Sequence, residues 1–319
     1  MQRADFMIGN GASDEMADLT QSRFKGTLRY GERLDKYTSW RVGGPADRFF
    51  QPADKDDLQV FLRALPKNEP ILWIGLGSNL LVRDGGIRGT VISTRGRLKE
   101  MRVQDDAHVY VEAGVPCAHV ARFCGESGLT GVEFLAGIPG TFGGALAMNA
   151  GAFGGETWRH VKQVTTVDKA GRLQLRERCE FDIGYRSVRG ISGEWFLSAV
   201  LGLKLGKNGD SQAAIRALLA RRAKSQPLNM PSCGSVFKNP PGDFAARLIE
   251  TSGLKGFRIG GACVSEKHAN FILNMGAATA ADVEALIRHV RDVVAGVHGV
   301  MLETEVRIVG EPLAGRETA

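Results

Sequence analysis

Cysteine is scarce in this 319-residue chain, and its placement follows no pattern. Cys117, Cys124, Cys179, Cys233 and Cys263 are scattered and odd in number, with no CxxC pair. That argues against a disulfide framework and against zinc or iron–sulfur ligation, so no metal is expected. Long apolar runs are missing too: stretches such as residues 71–76 fall far below a membrane span, and no membrane insertion is expected. The N-terminal MQRADFMIGNGASDEMADLT has neither the charged start nor the apolar core of a secretory signal, which points to the cytosol. Aromatics are only 7% of the chain, and the lysines and arginines are dispersed. The net charge of +6 therefore fits a solvated basic surface or an anionic small ligand better than nucleic acid. No obligatory protein partner is expected.

What the chain has in abundance is glycine at one place. VEFLAGIPGTFGGALAMNAGAFGGE, residues 132–156, carries Gly137, Gly140, Gly143, Gly144, Gly151, Gly154 and Gly155, and no charge between Glu133 and Glu156. So much glycine is unsuited to an ordinary helix or strand, because each residue loses extra backbone entropy on folding. It suits a place where bare main chain approaches a phosphate or a flat heterocycle. Pro139 pre-sets a turn, and Asn149 offers a donor and an acceptor. A second glycine turn, Gly75-Leu76-Gly77-Ser78-Asn79, ends a short apolar strand beginning at Ile71. Its N–H groups can converge on a diphosphate. It lacks the third glycine and the following helix of a dinucleotide fingerprint, and no Gly-Lys-Ser/Thr of a Walker loop occurs.

Taken in order, residues 1–23 read as a mobile leader. A strand carrying Arg41 is expected to end at Gly43-Gly44-Pro45, with Arg41 either a surface cation or a phosphate ligand. Residues 54–65 predict a helix, because Leu58, Phe61, Leu62 and Leu65 recur at helical spacing. Residues 90–94 and 108–113 read as strands, and Pro116 opens a helix striped by Cys117, Val120, Ala121 and Cys124. A hairpin is expected over 161–175, turning at Lys169-Ala170-Gly171. Near Gly206 the chain changes character. Ser211 is expected to cap a helix with Ile215, Leu218 and Leu219 inward, and Thr279 a helix with Val283, Leu286, Ile287 and Val290 inward. Residues 302–309 alternate as a strand, with Glu303, Glu305 and Arg307 on one face. The tail after Gly310 is expected to be disordered.

Three stretches then coincide in order: GLGSNLLVRDGG, GIPGTFGGALAMNAGAFG, and GYRS with GSVFKNP and LETEVRIVG. Together they closely resemble the UDP-N-acetylenolpyruvoylglucosamine reductase family, over roughly residues 34–310. The resemblance implies an α+β chain with a vanillyl-alcohol-oxidase/PCMH-type FAD-binding fold of two α/β subdomains, plus a C-terminal α+β substrate domain. The implied organisation is a flexible leader over 1–23, FAD-binding subdomains over 24–94 and 95–206, a substrate-binding domain over 207–310, and a flexible tail over 311–319. It implies non-covalent FAD, NADPH as co-substrate, and reduction of the enolpyruvyl ether of a UDP-sugar in peptidoglycan precursor synthesis. The spacing after GYRS resembles the branch without an extra tyrosine-bearing loop.

Roles carry over residue by residue. Ser235 in GSVFKNP would donate a proton, although a serine in such a loop is otherwise an ordinary turn former. Arg186 in GYRS would clamp the substrate carboxylate. Glu305 would act beside it; the residues alone do not choose between Glu305 and Glu303, and the matched position is Glu305. Tyr185, Lys224, Asn239 and His268 match substrate contacts. For the flavin the expected contacts are Arg41, Gly75, Leu76, Gly77, Ser78, Asn79, Leu80, Gly137, Ile138, Pro139, Gly140, Gly143, Gly144, Asn149 and Gly151. Another FAD-dependent oxidoreductase of the same fold, acting on an alcohol or hydroxy acid, is the alternative. No histidine stands in GLGSNLL or GIPGTFGG to tether a flavin, which disfavours such an enzyme. A nucleotide-sugar sensor without turnover would have no need of the GSVFKNP and ETEV residues.

Overall fold

The computed structural model describes residues 19–207 and 209–313. Its first unit is a four-stranded sheet, in the order Thr27–Arg33, Pro45–Gln51, Ile87–Ser93 and Ile71–Ile74. Only the first pair is antiparallel. The helix Lys55–Ala64 covers one face, as its spacing predicts: Leu58, Phe61 and Leu62 are buried, and Asp54 caps it through the Asp57 N–H at 2.8 Å. The strand expected to carry Arg41 falls one turn later. Arg41 sits in the preceding loop at φ 58°, and Pro45 begins the strand because it needs no donor at an end position.

The second unit is a five-stranded antiparallel sheet, in the order Leu173–Glu177, Val161–Asp168, Glu194–Gly202, His108–Glu112 and Met101–Val103. The helix Cys117–Glu126 packs on it with Cys117, Val120, Ala121 and Cys124 in the core. The glycine-rich stretch is more regular than its composition suggests. Phe142–Ala147 is a short helix capped by Thr141, so Gly143 and Gly144 are helical. Gly143 is there for packing: a Cβ would lie 2.7 Å from the Ala113 Cβ.

The third unit sets helices Ala245–Thr251 and Ala280–His298 against the small sheet Arg258–Ile259, Ala262–Val264 and Ile272–Asn274. Thr279 and Asp282 form the expected capping box. The helix Asp210–Ser225, expected to open this unit, packs instead on the second one. Ser211 is not its cap; Gly209 holds that position, and the Ser211 hydroxyl bonds Leu129 O and Glu133 Oε1. Ile215 is buried, but Leu219 is 40% exposed, so the expected stripe is narrower.

Both ends are tighter than expected where they are described. Leu19 is buried, Tyr30 OH donates to its carbonyl at 2.8 Å, and the Gln21 side chain bonds Gly26 O and the Leu28 N–H. Residues 19–23 are thus built into the fold, while the remaining leader, 1–18, lies outside the described residues. Glu311 exchanges main-chain hydrogen bonds with Gly85 and Gly86, and 314–319 lie outside the described residues.

Trp40 joins the first unit to the third. It is fully buried, its indole N–H donates to Ile272 O at 2.7 Å, and its own carbonyl accepts from Asn274 Nδ2 at 2.8 Å. Trp40→Ala should cost about 3–5 kcal/mol in chemical denaturation, since it leaves a cavity and takes the indole donor from Ile272 O. A loss below about 1 kcal/mol would mean that the packing there is not what joins the units.

Candidate functional site

The Gly75–Asn79 turn is held by close approach. Gly77 has φ 60°, and a Cβ there would stand 2.1 Å from Tyr37 O. Among the described residues, no main-chain N–H from Leu76 to Asn79 donates to a protein acceptor. Four free donors in succession are what a diphosphate requires. Across the seam, an added Cβ at Gly144 would meet nothing nearer than Thr141 Oγ1 at 3.7 Å. Bare main chain there faces open space, not packed protein, and these cradles fit FAD.

Three cavities lie along the two loops. One of about 370 Å³ is lined by Gly75, Thr141, Gly143 and Gly144, with Trp73 and Trp195. One of about 780 Å³ is lined by Arg41, Leu76 and Pro139 on one side and residues 227–232 on the other. The third, about 270 Å³, is lined by Ser78, Asn79, Gly137, Ile138, Pro139 and Gly151 together with Arg186, Ser235 and Glu305. The second and third share Pro139, Arg222, Gly234 and Phe271. Gly77, Leu80, Gly140 and Asn149 line none of the three. Asn149 corrects its sequence reading: it is buried, its Oδ1 accepts from the Trp158 N–H at 3.1 Å, and its Nδ2 donates to Gly184 O at 3.0 Å. Its amide thus ties the GYRS hairpin to the Trp158 main chain, a structural task, and it lines none of the three cavities.

That hairpin pairs Asp182–Gly184 with Ser187–Arg189 and puts Arg186 in its turn at φ 52°. A non-glycine residue there is strained, which marks it for function. Arg186 Nε donates to Glu305 Oε1 at 3.0 Å and Nη2 to Gly151 O at 2.7 Å. The fork is thereby fixed, with Nη1 left over. Glu303 and Glu305 do not share a face as expected. The chain is irregular before Arg307–Val309, so the alternation breaks: the Glu303 side chain is 76% exposed and pairs with Lys238, whereas that of Glu305 is 13% exposed, inside the cavity. Burial pushes the Glu305 carboxyl up from its ordinary value, and the Arg186 guanidinium opposes this.

Ser235 has no side-chain hydrogen bond among the described residues and faces the same cavity. Its loop is pinned by a residue that sequence reasoning missed. Asn270 is buried; its Oδ1 accepts from the Phe237 N–H at 2.9 Å and its Nδ2 donates to Phe237 O at 2.8 Å. The Val236 N–H donates to Asn270 O and the Glu305 N–H to Val236 O, so Ser235 and Glu305 are tied through one short ladder. Cys233, a rival to Ser235 by position, is buried with its thiol pushed up to about 12 by burial, and its Sγ faces Leu80 O at 3.5 Å. It is not an available acid.

The expected substrate contacts are not brought together. Lys224 is exposed and lines none of the three cavities; Arg222 and Gln226, two residues to either side, line the reaction cavity. Tyr185 is exposed, with the Arg186 guanidinium 5.2 Å from its ring centre. Asn239 is exposed and its Oδ1 accepts from the Ala245 N–H. His268 packs edge-on against Phe271 at 4.8 Å, its buried Nδ1 lacks a partner, and burial pushes its pKa down. The signal for Arg222 and Gln226 was the ARRAKSQP run, where a helix face, not charge alone, decides which residue points inward.

A carboxyl raised on folding binds its proton more tightly folded than unfolded. Its contribution to stability is full below the unfolded pKa and is lost as pH climbs through the raised one. Chemical denaturation across roughly pH 4 to 8 should therefore show wild type losing stability relative to Glu305→Gln as pH rises. A difference independent of pH would mean that Glu305 is not desolvated.

Two family descriptions match the sequence. One is a FAD binding domain, over residues 46–175, and the other is the C-terminal domain of UDP-N-acetylenolpyruvoylglucosamine reductase, over residues 226–309. The UDP-N-acetylenolpyruvoylglucosamine reductase of Methylococcus capsulatus is 62% identical over 300 residues, 94% of this chain and 99% of that one. That of Alkalilimnicola ehrlichii is 60% identical, covering 90% of this chain and 96% of that one. Among solved structures, the reductase from Thermus caldophilus superposes with a TM-score of 0.77 at 32% identity, over 89% of this chain and 98% of that one. Free main-chain donors, a cavity joining Arg186, Ser235 and Glu305, and identity along almost the whole length converge: the chain belongs to the UDP-N-acetylenolpyruvoylglucosamine reductase family.

Proposed function

We propose that this chain is the FAD-containing, NADPH-dependent enzyme that reduces the enolpyruvyl ether of UDP-N-acetylglucosamine enolpyruvate to UDP-N-acetylmuramate, with Arg186, Ser235 and Glu305 as its catalytic residues. The observation that carries this reading is that the three line one cavity bounded by Asn79 and residues 137–139. When bound, FAD would supply hydride chemistry drawn from NADPH and directed at the methylene carbon of the enol ether. Arg186, already fixed by Glu305 and Gly151, holds the substrate carboxylate and stabilises the enolate-like charge that develops on it. Ser235 Oγ–H, unengaged by protein, donates its proton to the adjacent carbon. Glu305 keeps the Arg186 fork oriented beside the reacting carbon. The flavin contacts are the loops 75–80 and 137–144, acting mainly through main chain.

Among the described residues no helix is long and apolar enough to cross a membrane. We assign the enzyme to the cytoplasm, where NADPH and nucleotide sugars are available; its recovery in a periplasmic fraction would reject that.

Purified protein should be yellow, with absorbance near ~450 nm from oxidised flavin. Anaerobic NADPH should bleach it, and the UDP-enolpyruvyl sugar should restore the colour. Ser235→Ala should leave bleaching nearly unchanged and slow recolouring by about 10²–10⁴-fold. Equal loss in both half-reactions would remove Ser235 from the proton transfer, and a wild-type protein that bleaches but never recolours would reject the substrate.

A further inference from the structure

Phe153 is the one bulky residue in a turn built for small ones. Gly151-Ala152 pairs with Gly155-Glu156, leaving Phe153 and Gly154 as a two-residue loop. Both have positive φ, 52° and 85°, the signature of a type I′ turn. The first position of such a turn favours Asn, Asp or Gly, and an aromatic residue there is strained. Nothing in the hairpin needs the ring, which is 36% exposed. It lines the cavity that holds Arg186, Ser235 and Glu305. Its edge lies over the bare main chain of the opposite wall, where a Cβ on Gly137 would stand 2.7 Å from Phe153 Cε2. The Arg221 guanidinium sits 5.6 Å from the ring centre, on the flanking helix. The same hairpin presents Gly151 O to Arg186.

We propose that Phe153 is the residue that covers the reacting end of the bound UDP-sugar acid, and that its backbone strain is retained for this purpose. The inference rests on the function proposed above. The ring supplies an apolar wall at the cavity mouth. It fixes the unsaturated acid between Arg186 and Ser235 and keeps water and oxygen from the reduced flavin. Strain that persists at a cavity mouth, in a turn where Asn or Gly would fit without it, marks function in place of stability.

The test uses the flavin-loaded enzyme and three variants. Phe153→Asn, which suits the turn, should raise the melting temperature. It should also raise KM for the UDP-sugar by about tenfold, as truncating a buried aromatic contact does. Oxidation of NADPH by oxygen without sugar turnover should increase, while anaerobic flavin reduction stays near wild type. Phe153→Gly should repeat the kinetic effects. Phe153→Tyr should restore wild-type KM and coupling together with the lower melting temperature. A Phe153→Asn protein less stable than wild type, with unchanged KM and coupling, would overturn the proposal and leave the ring a packing residue. Wild type without sugar turnover would instead bring down the underlying function, so the two failures are separable.

Discussion

Everything at the site hangs on a short parallel pairing between a strand of the first unit's loop region and the last described strand. Leu80–Val82 runs beside Arg307–Val309, joined by Arg307 N–H to Asn79 O and Asn79 Nδ2 to Glu305 O. The strand that leaves the Gly75–Asn79 turn is thereby in register with the strand that follows Glu305. Neighbouring contacts lock it: Arg83 pairs bidentately with Glu284, and Asp84 accepts the N–H groups of Ala280 and Ala281. Bidentate, partly buried pairs of this kind hold geometry better than exposed ion pairs do. A third unit that could rock freely on the first would separate the carboxylate from the flavin cradle.

Strain is concentrated where that geometry is used. Of the five non-glycine residues at positive φ among the described residues, Arg41, Phe153 and Arg186 line these cavities and Asn149 holds the Arg186 hairpin, while Leu98 lies elsewhere. Each costs on the order of 1 kcal/mol or more, supplied by the cores around Trp158 and Trp40. The glycines do the opposite task. They let stretches of main chain approach closely, and at Gly77 this leaves the N–H groups of residues 76–79 unspent for a ligand.

Much of this was legible because it is local. The helices at 55–64, 117–126 and 280–298 follow from apolar spacing and caps, and the hairpin over 161–177 from its turn residues. Periodicity failed where a contact from elsewhere overrode it. Ser211 reads as a cap but bonds Glu133, and Asn149 reads as a flavin ligand but bonds Gly184 and Trp158. Asn270 gave no signal, because its task is to grip Phe237, which is distant in sequence.

By itself the sequence determined the family and the need for a flavin, and it singled out GYRS, GSVFKNP and ETEV as the stretches to watch, because ordered motifs encode residue type and spacing directly. Only the tertiary structure decided between Glu303 and Glu305, set Arg222 and Gln226 in place of Lys224 at the cavity, and turned Phe153 over it. Those choices depend on which way an irregular backbone bends once it is paired with distant main chain. No alternation of polar and apolar residues records that direction.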